Sequence, residues 1–433
     1  MRRGDQRTAS SNGSSLEPMT PHTDRPFDIV VFGATSFVGQ ILCRYLVARH
    51  GTDGELRWAI AGRSTAKLVS VASSTGADVP QIVADASSVD DMRSLADSTR
   101  VVVSTVGPYA LYGSELVAAC AAAGTDYCDL TGEPQWMQKM IDAHGATAAA
   151  SGARIVHTCG FDSIPSDLGV WFTQQAAIDQ LGEPCTKIAM RVKAMKGGAS
   201  GGTIASMMNV MEETASDPAL RKVLANPYAL APEGMRSGVD QPNVVLPKDD
   251  EASGEWVAPF VMAAINTRVV HRSHALLERP WGDDFLYDEA MMMGTGPLGA
   301  AKAAGLAGGL GGFMGVATLG PARDLLSRFV LPKPGEGPSP DAQEKGFFDI
   351  RFFGTTADGH TIATKVTGDR DPGYGSTAKM LGECAVTLLH LARPGDETGE
   401  GVAGGFWTPS TALGDALIEA LRAHAGLTFE RCD

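Results

Sequence analysis

Gly33, Ser36 and Gly39 are spaced to hold a diphosphate. They lie in the run F-D-I-V-V-F-G-A-T-S-F-V-G, residues 27–39. Ile29 to Phe32 read as a buried strand, and Ile41, Leu42, Tyr45 and Leu46 then recur at helical spacing. A strand, a glycine turn and a helix set a helix N-terminus against the pyrophosphate of a dinucleotide. Gly33 permits the tight turn, and Gly39 lets the helix approach the strand. Ala34, Thr35, Ser36, Phe37 and Val38 make the loop between them. Ser36 stands where the usual pattern has its middle glycine.

The end of the second strand selects the cofactor. Leu56 to Ala61 read as a strand, followed by Gly62, Arg63 and Ser64. A carboxylate here would take the ribose 2′-hydroxyl of NAD and repel a 2′-phosphate. Arg63 and Ser64, with Lys67 one turn into the next helix, suit that phosphate instead. The expected cofactor is NADP(H). The loop 50–55 accounts for the long spacing between Gly39 and Arg63.

These residues need a parallel sheet to position them. Strands are expected at 80–84, 101–105, 126–130 and 154–158, and helices at 90–97, 114–123 and 137–150. Strands alternating with helices at this spacing make a Rossmann-type, doubly wound α/β fold. Ligands of such sheets sit beyond the carboxyl ends of the strands. Gly33, Arg63, Asp85, Thr105, Val106, Gly107, Pro108, Tyr109, Glu133 and the stretch 159–163 then share one rim.

The expected division is a disordered tail over 1–25, an NADP-binding domain over 26–165, and a second domain over 166–374. That second domain reads as α+β, built on an antiparallel sheet, with paired strands at 347–353 and 361–367. Helices over 375–391 and 411–423 would return to the first domain. K-G-G-A-S-G-G-T, residues 196–203, lacks the G-K-[ST] ending of a nucleoside triphosphate loop. Residues 290–321 hold ten glycines and one charge, Lys302. A buried, pliable helix pair is the leading reading of that segment, and lipid contact the next.

The chain has 433 residues, 20% of them charged, and a formal net charge of −14. Nucleic acid is not an expected partner, because no basic stripe offsets that charge. Seven cysteines are scattered, with no C-x-x-C or Cys/His cluster, so neither zinc nor a disulfide framework is indicated. A reduced, cytoplasmic setting fits, with membrane association as the alternative. The tail lacks the apolar core of a signal peptide.

Taken together, the motifs resemble those of the saccharopine dehydrogenase-like oxidoreductases, and most closely the bacterial trans-acting enoyl reductase branch. The likeness covers roughly residues 26–433. It rests on G-A-T-S-F-V-G, A-G-R-S-x-x-K-L, V-G-P-Y-x-x-Y-G, G-T-D-Y-x-D-L-T-G-E, G-F-D-S-I-P-S-D-L-G, S-G-G-T, P-G-Y-G-S-T-A and T-P-S-T-A-L-G-D-A-L, in that order. Ser36 departs from the family pattern. The resemblance implies NADPH-dependent reduction of a carbon–carbon double bond on an acyl or polyketide chain. A synthase lacking its own enoyl reductase would present that chain during wall-lipid assembly. A saccharopine-type amino-acid dehydrogenase, an NADP-binding regulator and a lipid-surface protein stay open, as does a homo-oligomer.

Enoyl reduction needs a hydride, an electrophile for the developing enolate, and a proton. A Tyr-x-x-x-Lys dyad is absent; Tyr374 and Lys379 are five apart. Tyr109 and Tyr112 follow the fourth strand, where a phenol could polarise a carbonyl or pack on the cofactor. Asp162 and Ser163 follow the sixth strand and could bound the substrate mouth, or Asp162 could cap the next helix. Glu133 could likewise cap a helix, and Cys159 reads better as a buried thiol than as a nucleophile. Arg191, Arg268, Arg272 and Arg279 are too dispersed in sequence to suggest a carboxylate clamp. The Met cluster at 207–211 and the 290–321 segment suit an acyl chain.

Overall fold

The computed structural model describes residues 24–197, 210, 214, 217–317, 337–396 and 401–432. The first sheet contains β1 (Phe27–Phe32), β2 (Trp58–Gly62), β3 (Gln81–Val83), β4 (Thr99–Ser104), β5 (Asp126–Asp129), β6 (Arg154–Val156) and a late strand, β13 (Gly405–Trp407). Their order is β13-β6-β5-β4-β1-β2-β3, all parallel. The chain reverses direction across the sheet between β1 and β4, the place where open α/β sheets bind ligands.

Both faces of this sheet are covered, which is why β1 is a continuous apolar run. Ile29 and Val31 enter one core cluster, and Val30 and Phe32 enter the other. The helices are α1 (Phe37–His50), α2 (Thr65–Thr75), α3 (Val89–Asp97), the single turn α4 (Tyr109–Tyr112), α5 (Ser114–Ala123) and α6 (Pro134–Ser151). Then α7 (Ile164–Leu181) leads into the second sheet.

That sheet contains β7 (Cys185–Lys196), β8 (Lys248–Asp250), β9 (Glu255–Pro259), β10 (Leu286–Gly294), β11 (Phe347–Thr356), β12 (Thr361–Gly368) and β14 (Leu427–Arg431). It runs β14-β12-β11-β7-β10-β9-β8. It is antiparallel except between β7 and β10, which pair in parallel. Between these strands lie α8 (Pro218–Ala225), α9 (Ala263–Leu276), α10 (Gly296–Ala317) and α11 (Pro340–Glu344). The last helices are α12 (Thr377–His390), α13 (Pro409–Ala412) and α14 (Gly414–Ala420). The stretch 375–433 is shared between the sheets. Its α12 packs on β1, β4 and β5, its β13 joins the first sheet, and its β14 joins the second.

Two expectations change. The tail does not reach residue 25, because Arg25 is buried and donates to the carbonyls of Thr99 (2.7 Å) and Ala123 (2.5 Å). Residues 1–23 lie outside the described residues. Over its described residues, 290–317, the segment expected as a buried helix pair is not one. It finishes β10 and then forms one helix, α10, which packs on β9 and β10 and leaves Lys302, Gly305 and Leu306 exposed. With so many glycines the helix has little side chain to bury. Among the described residues, no helix is long and apolar enough to cross a membrane. Residues 318–321, the S-G-G-T motif and all but Val210 of the Met cluster at 207–211 fall outside the described residues.

Candidate active site

The phosphate turn has the geometry its glycines imply. Gly33 has φ +88°, and a Cβ there would lie 2.6 Å from Val106 Cγ2 and 2.8 Å from Thr105 Oγ1. A Cβ on Gly39 would lie 2.4 Å from the Gly33 carbonyl. Neither position admits a side chain without displacing backbone or β4. Ser36 is more than a lost glycine. It is the N-cap of α1, accepting from the Gly39 amide at 2.9 Å and bonding the Thr105 hydroxyl at 2.9 Å. Thr105 in turn donates to the Gly33 carbonyl at 2.9 Å. The cap therefore fixes the turn, the helix and the end of β4 together.

Arg63 is exposed at the end of β2, and Lys67 is exposed in the first turn of α2. Ser64 caps that helix, accepting from the Lys67 amide at 3.5 Å. Gly62 is not demanded by space, since a Cβ there would make ordinary contact with Leu68 and Thr35. Asp85, after β3, accepts from the Ser87 amide (2.9 Å) and hydroxyl (2.8 Å). These bonds, led by the amide and joined by the charge of Arg63, hold its carboxyl below the usual range.

A cavity of about 1450 Å³ opens beside the turn. Ser36, Phe37, Val38, Thr105 and Gly107 line it, while Arg63, Ser64, Lys67 and Asp85 stand outside its lining, at the ends of β2 and β3. An extended dinucleotide would need this separation between its nicotinamide and its 2′-phosphate. The chain's residues fit NADP(H) on that ground and on the cradle at Gly33 and Gly39.

The four catalytic candidates separate clearly. Tyr109 lines the cavity but is buried. Its hydroxyl donates to the Ser104 carbonyl at 3.0 Å and accepts from the Leu130 amide at 3.1 Å. Burial raises it well above the usual phenol range. It braces the loops after β4 and β5. Tyr112 is 45% exposed and lies outside the cavity lining. Ser163 is fully buried and occupies the cap position of α7, with its hydroxyl donating to Asn266 Oδ1 at 3.0 Å. Asp162 therefore does not cap that helix. It lines the cavity beside Gly132, and its carboxyl is pushed up to about 7, by burial first and then by the charges of Asp129 and Cys159.

Glu133 is buried, and its carboxylate accepts from the amides of Tyr109 and Ala110, each at 2.9 Å. It pins the start of α4. Cys159 is fully buried, as a structural thiol would be. Of the four arginines weighed as a clamp, Arg268 alone lines the cavity. Arg191 is tied to Asp250 and Asp288, Arg272 to the carbonyls of Leu230 and Phe406, and Arg279 to Asp283. Lys379 binds Asp369 at 2.9 Å, so no tyrosine–lysine dyad forms with Tyr374.

Several lining residues were not singled out from sequence. Tyr287 and Glu289 come from β10 and Thr377 from the P-G-Y-G-S-T-A motif, whose Tyr374, considered from sequence only for a dyad with Lys379, also lines the cavity. Thr377 accepts from the Phe161 amide at 3.0 Å, which ties that motif to the loop carrying Asp162. Phe37 packs edge-on against Tyr374, with ring centroids 4.7 Å apart. The available signal was the strand pattern Y-D-E, which puts Tyr287 and Glu289 on one face.

Residues 29–156 match the family model of the saccharopine dehydrogenase NADP-binding domain. A trans-acting enoyl reductase of Mycobacterium bovis is 39% identical over 417 residues, 93% of this chain and 97% of its own. A Mycobacterium tuberculosis relative, given the same designation provisionally, is 44% identical over 422 residues, 94% of this chain and 98% of its own. The chain belongs to the saccharopine dehydrogenase-like family, in its trans-acting enoyl reductase branch. The saccharopine dehydrogenase of Saccharomyces cerevisiae shares the fold. Its TM-score is 0.51 at 13% identity, covering 94% of this chain and all of that one. As a member of this family, the chain is an NADP(H)-dependent oxidoreductase.

Proposed function

We propose that the chain reduces a carbon–carbon double bond of an acyl or polyketide chain that a synthase presents in trans, in the assembly of a lipid. The observation that carries this reading is the cavity. It runs from the phosphate turn to an apolar wall made by Val244 and Val245, Phe260 and Val261, and Ala307 and Leu310 of α10. Its basic lining residues do not form a carboxylate clamp: Arg236 is engaged by Asp142, and Arg268 donates to the carbonyls of Ala264 and Leu224. Such a wall favours an alkyl chain over an amino acid with several carboxylates.

NADP(H), when bound, supplies the hydride. Gly33 to Gly39 would hold its pyrophosphate at the N-terminus of α1, and Arg63, Ser64 and Lys67 its 2′-phosphate. Thr105 and Gly107 would flank the nicotinamide ribose. Asp162 would bound the mouth where substrate meets cofactor, and Tyr109 and Ser163 would keep its loops in place. The exposed Leu298 and Leu306 of α10 are what a lipid-surface role would use instead.

The test is NADPH oxidation with 2-enoyl thioesters of increasing length, beside saccharopine. One NADPH consumed per double bond lost supports the reading. Faster turnover of saccharopine than of every thioester would establish the amino-acid dehydrogenase. Liposome flotation without turnover would establish the lipid-surface protein.

A further inference from the structure

Four side chains from three elements form a buried hydrogen-bonded chain against the cavity. Ser163 Oγ donates to Asn266 Oδ1 at 3.0 Å, and Asn266 Nδ2 donates to Glu289 Oε2 at 2.9 Å. Tyr287 Oη donates to Glu289 Oε1 at 2.7 Å. Glu289 is 1% exposed, yet it and Tyr287 line the cavity. Tyr287 and Asn266 thus donate to different oxygens of the one carboxyl group.

Resting on the enoyl reductase reading, we propose that Glu289 is the acid that protonates the substrate's α-carbon, held in position by Tyr287 and Asn266. A double bond lying against the nicotinamide has the first sheet's rim on one face. Glu289 is supplied by the second sheet, and Asp162 by the rim itself. In the step, the β-carbon gains the hydride, NADPH is oxidised to NADP⁺, and the π pair shifts to make a thioester enolate. The enolate carbon then takes the Glu289 proton as the Oε–H bond breaks, leaving a saturated thioester and a carboxylate that water reprotonates.

The surroundings suit an acid near neutrality. Burial pushes the Glu289 carboxyl up to about 7, against the hydrogen bonds of Tyr287, Asn266 and Ser166. Asp288 adds a smaller upward push from the same strand, and it is ion-paired with Arg191 of β7 at 3.0 Å. From α9 the facing group is the neutral Asn266, while Arg268 of that helix donates to the carbonyls of Ala264 and Leu224. The charged residue of α10, Lys302, is exposed, and Glu255 of β9 binds the Gly294 amide at the far end of β10.

The experiment measures kcat against pH for NADPH oxidation with a long 2-enoyl thioester. Wild type should lose rate as pH rises through about 7. Glu289→Gln should lower kcat roughly 100-fold or more, remove that limb and leave NADPH affinity unchanged. Tyr287→Phe removes a bond that favours the ionised carboxylate, so its limb should move to higher pH. Asp162→Asn should keep the limb. Glu289→Gln retaining kcat within about threefold and the same limb would overturn the proposal, as would loss of the limb in Asp162→Asn alone. If Glu289→Gln fails to fold, an unmoved limb in Tyr287→Phe overturns it. A wild type that reduces no enoyl thioester overturns the functional reading and this inference together.

Discussion

On the proposed reading Arg63 and Gly39 would lie on the same cofactor path, yet they should fail in different ways. Arg63 is exposed at a strand end, and the 2′-phosphate is what it would contact. Losing a hydrogen bond to a charged group costs about 1.5–3 kcal/mol. Arg63→Ala should therefore weaken NADPH roughly 10–150-fold and leave NADH nearly unchanged, measured by fluorescence titration. Gly39→Ala places a Cβ 2.4 Å from the Gly33 carbonyl and should weaken both cofactors alike. Equal weakening by Arg63→Ala would show that Arg63 acts through the fold. The two glycines were legible in sequence because backbone conformation and close approach leave only glycine. Ser36 was visible as a departure from the glycine pattern, but its contacts were not. Its N-cap bond to the Gly39 amide is local, but its tie to Thr105, 69 residues away, is a tertiary contact.

The elements carry constraints that sequence could only partly show. The parallel strands were recognisable as short apolar runs between helices, whereas β13 and β14 were not. Each is short and gains meaning only beside β6 or β12. In the second sheet, Arg191 of β7 clamps Asp250 of β8 (2.8 and 2.9 Å) and Asp288 of β10 (3.0 Å), all buried. Arg191→Met would strand two buried carboxylates. It should cost about 3–5 kcal/mol in urea unfolding. Burial alone would raise the Asp250 carboxyl, but the hydrogen bonds and charge of Arg191 hold it at about 2. Its folded pKa lies below the unfolded value of about 3.9. The pair's contribution should be complete above about pH 4 and fade as pH falls toward 2. Unfolding curves of wild type and Arg191→Met should converge over that window. A gap that stays constant to pH 2 would mean the loss is packing alone.

At the scale of the molecule, the cavity proposed as the site is lined from both sheets, which bears on what was legible. The proposed cofactor half lies within residues 33–109, on consecutive strand ends, and its motifs are local in sequence. The proposed substrate half gathers lining residues from 226–268, β10, α10 and the 372–378 motif, which meet only in the folded chain. Leu306 illustrates the limit. It belongs to the apolar segment but is exposed and outside the lining, whereas Ala307 and Leu310 line the cavity. Each buried methylene should contribute ~0.8 kcal/mol, so catalytic efficiency should rise about fourfold per carbon until the cavity is filled. Leu310→Asp should flatten that rise, and Leu306→Asp should not. Equal effects of both would detach α10 from substrate binding. The most direct test of the whole account is the fate of the hydride. With NADPH deuterated at C4 on the transferred face and a long 2-enoyl thioester, the product should carry one deuterium at the β-carbon and one solvent proton at the α-carbon. Deuterium at any other carbon, or none in the product, would contradict it.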